Sequence, residues 1–419
     1  MSPETNSPAP ARFLGVGIVP LLSLFGLGFL VLASYEISRA TIESLFETAH
    51  GAESVPLAWL VVAPSVLVTV LIYNRIIART QLLPFFVGAL VATLVVLSAL
   101  LVLNRFEVPG SYYGLYVWKD IYIVVLIEMF WTFANSLFKV REARWLYGMF
   151  LVAGSAGAIA GGLSVGWLAG EFGSVGALGA VFPVLGLCVV ICLALSRMIP
   201  PIAPPEKKSP PIGDSLRVLK GSSYLVLMLL VVVAVQIAIN LVDYEYKLYL
   251  NQAFVDTDAR TAFRGQVNSA INLIALFLQL GSGPILAAVG VPRVLLGIPM
   301  LLMLALGAFA AAPRLATAAV AKVTSKALDY SLFRAAKEIL YIPLSPAEKT
   351  RGKAVIDIMV YRMAKAGAAL LILGLGVAEL GWVVTASTFG VVAAWIGLTW
   401  LIVRRYKAVS KDSDADTAA

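Results

Sequence analysis

Uninterrupted apolar runs recur along the whole chain, each about long enough to cross a lipid bilayer. A spanning helix needs ~20 apolar residues. Twelve such segments fit end to end, near 13–35, 57–77, 82–104, 117–139, 144–170, 175–199, 223–247, 263–289, 292–311, 315–341, 352–375 and 378–403. Of the 419 residues, 60% are hydrophobic and only 13% charged, too few polar groups to clothe a water-facing surface. In hydrocarbon every backbone amide must be satisfied within its own segment, so these runs are helices. The expected fold class is an all-α polytopic membrane protein of about twelve transmembrane helices.

The formal net charge is +8, and its placement argues against a nucleic-acid partner. Arg75 and Arg79 follow span 2, and Lys139, Arg141 and Arg144 follow span 4. Lys207, Lys208, Arg217 and Lys220 lie after span 6, Arg293 after span 8, Lys349, Arg351 and Lys353 after span 10, and Arg404, Arg405 and Lys407 after span 12. The alternate loops hold few bases and carry Glu43, Glu47, Glu53, Glu107, Glu171, Asp256 and Asp258. Basic loops face the cytoplasm, so both termini are expected there, with a bacterial inner membrane as the host. Residues 1–12 and 406–419 read as disordered tails, and the N-terminal tail has no signal-peptide pattern. A single His50, and Cys188 and Cys192 embedded in an apolar span, leave no metal or cofactor motif and no catalytic constellation. The protein is expected to be a monomer in contact with lipid, not an enzyme.

The stretch 200–222, PIAPPEKKSPPIGDSLRVLKGSS, is rich in proline and charge and cannot span. It divides the chain into six-helix halves, 13–199 and 223–405, joined by a cytoplasmic linker. That is the plan of major-facilitator transporters. Intramembrane polar residues concentrate at intervals of three helices, in spans 1, 4, 7 and 10. This is the repeat expected when one helix per repeat lines a shared cavity. Gln236, Asn240, Asp243 and Lys247 fall on one helix face, as do Glu128, Trp131 and Asn135, and Lys326, Tyr330, Phe333 and Lys337. Span 1 adds Tyr35, Glu36, Arg39 and Glu43; span 11 adds Asp357, Tyr361, Arg362 and Lys365. A charge at mid-bilayer costs ~2.5–3.5 kcal/mol on insertion scales, so such residues face a wet cavity or one another.

Some of these charges have a second reading. Arg39 and Glu43 lie one turn apart and can pair at the interface; Lys247 can simply end span 7. Asp329, Glu338 and Asp357 are gating candidates that hold the halves shut. Glu128, with no basic neighbour one turn away, and Asp243 are proton-coupling candidates. The glycine-rich GSAGAIAGG, 154–162, lacks the Gly-Lys-Ser/Thr ending of a phosphate loop and is spaced for close helix packing.

Several segments resemble the nucleotide transporter family, the ATP/ADP translocases of plastids and intracellular bacteria. The longest is SKALDYSLFRAAKEILYIPLSPAEKTRGKAVIDIMVYRMAKAG (325–367), with INLVDYEYK (239–247), Glu128, Trp131, Phe133-Ala134-Asn135, EARWLY (142–147), and Tyr35, Ile37, Arg39 and Thr41 beside it. The resemblance implies a major-facilitator-like fold that moves nucleotides by alternating access through a basic central cavity. Arg39, Lys247, Lys326, Lys337, Arg362 and Lys365 would oppose the phosphates. Tyr35, Trp131 or Tyr341 would stack on the base, with Glu128, Asn135, Asn240 and Asp243 completing the candidate substrate-binding set. Two positions depart from the family: Ile42 stands where a lysine is usual, and Asp243 where glutamate is. They keep open the alternative of a proton-coupled carrier or exporter of another organic anion.

Overall fold

The computed structural model describes residues 17–138, 140–200, 212–345, 348–353, 356, 361–375 and 381–418. Every regular element among them is helical. The helices are α1 (Ile18–His50), α2 (Val55–Ile77), α3 (Leu82–Arg105), α4 (Ser111–Leu137), α5 (Val140–Gly179), α6 (Val181–Met198), α7 (Ile212–Gly221), α8 (Ser223–Ala253), α9 (Thr257–Val289), α10 (Val291–Ala311), α11 (Leu315–Leu328), α12 (Arg334–Leu340), α13 (Tyr361–Gly374) and α14 (Gly381–Ala418). Among the described residues, ten stretches are long and apolar enough to cross a membrane. The other two expected spans are α13 and the run from α11 through a π-turn at Asp329–Phe333 into α12. The π-turn divides that run into two short helices, and it carries Lys322, Lys326, Asp329 and Lys337. The protein is a polytopic all-α membrane protein.

Two helices run well past their expected ends. Helix α1 continues to His50 and stops at Gly51, whose φ of 76° is open to glycine. The extra turns carry Glu36, Arg39, Glu43 and Glu47; their polarity ends an apolar run, but their side chains find partners inside the protein. Helix α9 begins at Thr257, where the Asp256 carboxylate caps it by accepting from the Ala259 amide at 3.0 Å. Helix α5 is continuous to Gly179 apart from a break at Gly173, φ 69°. The break between the halves contains the short helix α7, which packs against a π-turn at Glu348–Gly352.

Each half has its own apolar core. One gathers residues of α1 to α6, including Trp59, Phe86, Phe133, Cys188 and Cys192, with a few contributions from α8, α13 and α14; the other gathers residues of α7, α8, α10, α11, α12 and α14. The two halves meet where α5 lies on α9, where α2 lies on α13, and where α1 approaches α8 and α9. The glycine-rich stretch makes the first of these contacts possible. A Cβ on Gly157 or Gly161 would overlap the backbone of Phe29 or Ala33 on α1, and a Cβ on Gly265 would overlap the Gly162 carbonyl across the halves.

Candidate functional site

Helix α1 presents Tyr35, Arg39 and Glu43 at successive turns on one face, and α8 presents Asn240 and Asp243 one turn apart. These, with Lys326 and Lys365, line a cavity between the halves that also takes in Trp59, Tyr116, Lys119, Asp120, Lys322 and Tyr330. Five cationic side chains therefore face three carboxylates in about 90 Å³ of free space. A second cavity of about 330 Å³ lies between α1, α4 and α5 on one side and α9 and the π-turn on the other. It is lined by aromatic and apolar groups, including Trp131, Phe130 and Phe150, with Glu36, Asn272 and Gln279. Tyr35, Arg39 and Tyr330 line both cavities, so the two meet across these residues.

Four of the five cations of the first cavity, Arg39, Lys119, Lys322 and Lys365, are held by carboxylates. Lys322 pairs with Asp243 at 2.9 Å, Lys365 with Asp120 at 3.0 Å, and Lys119 with Asp120 at 3.1 Å and Glu43 at 3.4 Å. Arg39 pairs with Glu36 at 3.4 Å, one turn back on α1, and not with Glu43. Lys326 has its ammonium 6.0 Å from the Tyr330 ring centroid and Lys322 has its own 3.9 Å from that of Tyr246, the cation–π arrangement. Tyr116 accepts a hydrogen bond from the Trp59 indole at 3.0 Å, fixing two aromatic walls.

Toward the end of the bundle that carries His50, these pairs run into a fully buried network joining the halves. Lys247 on α8 contacts Glu43 and Glu47 of α1, the latter at 3.3 Å, and Arg264 on α9 reaches Glu43 at 2.8 Å and Glu47 at 2.5 Å. Lys247, Arg264 and Glu47 have no exposed side-chain surface. The same end is closed further by Arg260, whose guanidinium donates to Thr48 at 3.2 Å, and by Ser174, whose hydroxyl donates to Asp258 at 2.6 Å.

The structure thus brings Tyr35, Arg39, Asn240, Asp243, Lys326 and Lys365 to one cavity and Trp131 to its neighbour. Lys247 lies behind the first cavity, in the network. Lys337 and Tyr341 are buried near the opposite end of the C-terminal half and line neither cavity. Glu128 is half-buried and lines neither; Asn135 is exposed and accepts a hydrogen bond from Tyr147 at 2.5 Å. Of the gating candidates, Asp329 accepts from Gln236 at 3.3 Å and Glu338 from Lys353 at 2.5 Å, so each is held by a partner in its own half. Asp357 and the Arg362 side chain lie outside the described residues. Ile42 is buried in the apolar core of the N-terminal half.

Sequence reasoning missed Lys119, Asp120 and Lys322, and placed Glu47 and Arg264 in loops. A signal existed for two of them. Lys322 lies one turn before Lys326 on the same stripe, and Asp120 lies on the face of Glu128 and Trp131 two turns back. Glu47 and Arg264 gave no such signal, because only the approach of α9 to α1 makes a loop-like acid and base an internal pair.

The TLC ATP/ADP transporter family matches residues 109–199, 203–316 and 300–407. Among curated proteins, the chain is 26% identical to ADP,ATP carrier protein 1 of Chlamydia muridarum, over 95% of this chain and 90% of that one. It is 30% identical to the chloroplastic ADP,ATP carrier protein 1 of Arabidopsis thaliana, over 87% of this chain and 70% of that one. A crystal structure of a mutant of the nucleoside transporter NupG superposes with a TM-score of 0.70 at 11% identity, covering 93% of this chain and 99% of that one. The POT family transporter PepTSo superposes at 0.63 and 12% identity, covering 97% of this chain and 99% of that one. Both share the major-facilitator-like fold.

Proposed function

The chain belongs to the TLC ATP/ADP transporter family, and from that premise we propose that it exchanges nucleotides across a membrane by alternating access. The observation that carries the reading is the pair of joined cavities between the halves, one lined by Arg39, Lys119, Lys322, Lys326 and Lys365, the other by aromatic rings. A nucleotide has that division: several negative charges at one end, a flat base at the other. The phosphates enter the charged cavity, where arginine offers bidentate contacts and lysines act as point charges. The base lies against Trp131 or Tyr35. Of the remaining candidates, Asn240 and Asp243 contact the phosphate end. Lys337 and Tyr341 act from the opposite end of the C-terminal half.

The internal carboxylates give exchange a physical basis. Without substrate, Asp120 and Asp243 hold Lys365 and Lys322. A polyphosphate competes for the same ammonium groups, and the displaced carboxylates loosen the adjoining network of Glu43, Glu47, Lys247 and Arg264. Opening the His50 end thereby depends on bound anion, as an obligate exchanger requires. By the positive-inside pattern that end faces outward, both termini face the cytoplasm, and the network is the outer gate. Exchange is favoured over proton coupling because Glu128 lines neither cavity and Asp243 is paired with Lys322.

Purified protein in liposomes should take up labelled ATP or ADP, faster when nucleotide is preloaded inside. Absence of uptake for every nucleotide, together with no thermal shift at millimolar nucleotide, refutes the reading. Uptake driven by a proton gradient and abolished by Glu128→Gln would establish the alternative carrier in its place.

A further inference from the structure

A cleft of about 460 Å³ lies at the opposite end of α8 from Lys247, between the junction of α7 with α8 and the stretch of α14 around Leu401. Lys220 and Arg405 stand at its rim, and Val226, Leu227, Leu230 and Leu401 form its walls. Leu230 and Leu401 remain 44% and 46% exposed, so the cleft opens toward the bilayer. The apolar spans of these helices run Ser223–Ala253 and Trp382–Tyr406. The walls therefore lie within the hydrocarbon, and the two cations stand at its boundary. Arg405 donates to the Ser223 hydroxyl, a neutral partner that holds the guanidinium across the mouth and leaves its charge uncompensated. Neighbouring bases at this end differ: Arg217 pairs with Asp214 at 3.7 Å and Lys353 with Glu338 at 2.5 Å. Among the described residues, Lys220 and Arg405 have no carboxylate partner, and no acid lines the cleft.

A cationic rim above apolar walls, at headgroup depth, is complementary to a lipid with an anionic headgroup. A soluble anion gains nothing from the leucines, and a zwitterionic lipid brings an ammonium of its own to Lys220 and Arg405. We infer that the cleft between α7, α8 and α14 binds an anionic phospholipid, its phosphate between Lys220 and Arg405 and an acyl chain along Val226, Leu227, Leu230 and Leu401. Lys220 belongs to α7, the linker helix that also packs against the π-turn at Glu348–Gly352. The bound lipid thus ties the connection between the halves to the membrane where α8 begins. The cleft shares no residue with either central cavity, so the site stands whatever solute the protein carries.

The test is native mass spectrometry of the purified full-length protein in neutral detergent, titrated with phosphatidylglycerol or with phosphatidylcholine of the same acyl chains. The first phosphatidylglycerol should be retained at about twentyfold lower concentration than phosphatidylcholine, from roughly a fivefold gain for each of two cations near an anionic headgroup. Lys220→Gln together with Arg405→Gln should abolish that preference. Val226→Trp, which fills the apolar wall and keeps both cations, should weaken phosphatidylglycerol retention about fivefold or more. Glycerol phosphate at millimolar concentration should displace none of it. Equal retention of the two lipids by the wild-type protein overturns the inference. So does an undiminished preference in the double variant, whose lipid-free melting midpoint should match the wild type because both side chains are exposed. Displacement by glycerol phosphate overturns the lipid in favour of a site for soluble anions.

Discussion

Neutralising Glu47 should open the His50 end of the transporter. Both oxygens of this carboxylate are committed, one to Lys247 at 3.3 Å and one to Arg264 at 2.5 Å, and the side chain has no exposed surface. Glu47→Gln keeps the shape and one hydrogen-bonding oxygen but leaves Lys247 and Arg264 to share Glu43 with Lys119, with Asp243 3.9 Å from Lys247. Removing one partner of a buried ion pair costs about 3–5 kcal/mol, and the retained amide places this variant near ~3 kcal/mol. The cost falls on the closed arrangement alone, because when the halves part at this end Lys247 and Arg264 are hydrated. A shift of ~3 kcal/mol is roughly a 150-fold change in the open-to-closed ratio. The assay is labelling of Ser174→Cys, a buried position that bridges to Asp258 and Thr261 across the halves, by a membrane-impermeant maleimide. The background is favourable, as Cys188 and Cys192 are buried in the core. While the open state is a minority, labelling rate follows its population, so Glu47→Gln should accelerate it by well over tenfold. An unchanged rate would refute the assignment of this network as a gate. Replacing the pair together, Glu47→Leu with Arg264→Met, removes both charges into an apolar site and should return labelling to the wild-type rate or below, with transport reduced.

Gly265→Val should also hold the halves apart, since its Cβ would overlap both the Gly162 carbonyl oxygen and Val165 Cγ1, and the backbone contact has no side chain to turn away; transport should fall by more than tenfold and Ser174→Cys labelling should rise. Lys326→Ala, which removes a cation from the cavity wall, should weaken nucleotide binding measured by thermal shift about tenfold or more. Lys337→Ala should slow uptake with less effect on that affinity; equal losses of affinity would place both lysines on the substrate. Glu338→Ala breaks a solvent-exposed pair with Lys353, within one half, and should change the melting midpoint by an amount equivalent to less than about 1 kcal/mol.

The recurring apolar helices and the packing role of the 154–162 glycines were legible in the sequence. Each follows from a local rule: segment length against bilayer thickness, and small residues at helical spacing. The faces of α1, α8 and α11 were legible too, because a stripe at helical period points one way whatever surrounds it. What no stripe contains is the partner. Lys247 lies on the same face as Asn240 and Asp243, yet it belongs to the seal and not to the cavity, because α1 brings Glu43 and Glu47 against it. Arg264 and Glu47 looked like interfacial charges for the same reason: a buried ion pair is invisible until two distant helices meet. Arg39 was within one turn of both Glu36 and Glu43, and only the arrival of Lys119, Lys247 and Arg264 decided that Glu43 was taken. The sequence by itself determined that this chain is a bundle of membrane helices with charged faces turned inward, since hydrocarbon admits no other solution. The tertiary structure alone decided which of those charges satisfy each other and which stand at a cavity, because that depends on contacts between helices hundreds of residues apart in the chain.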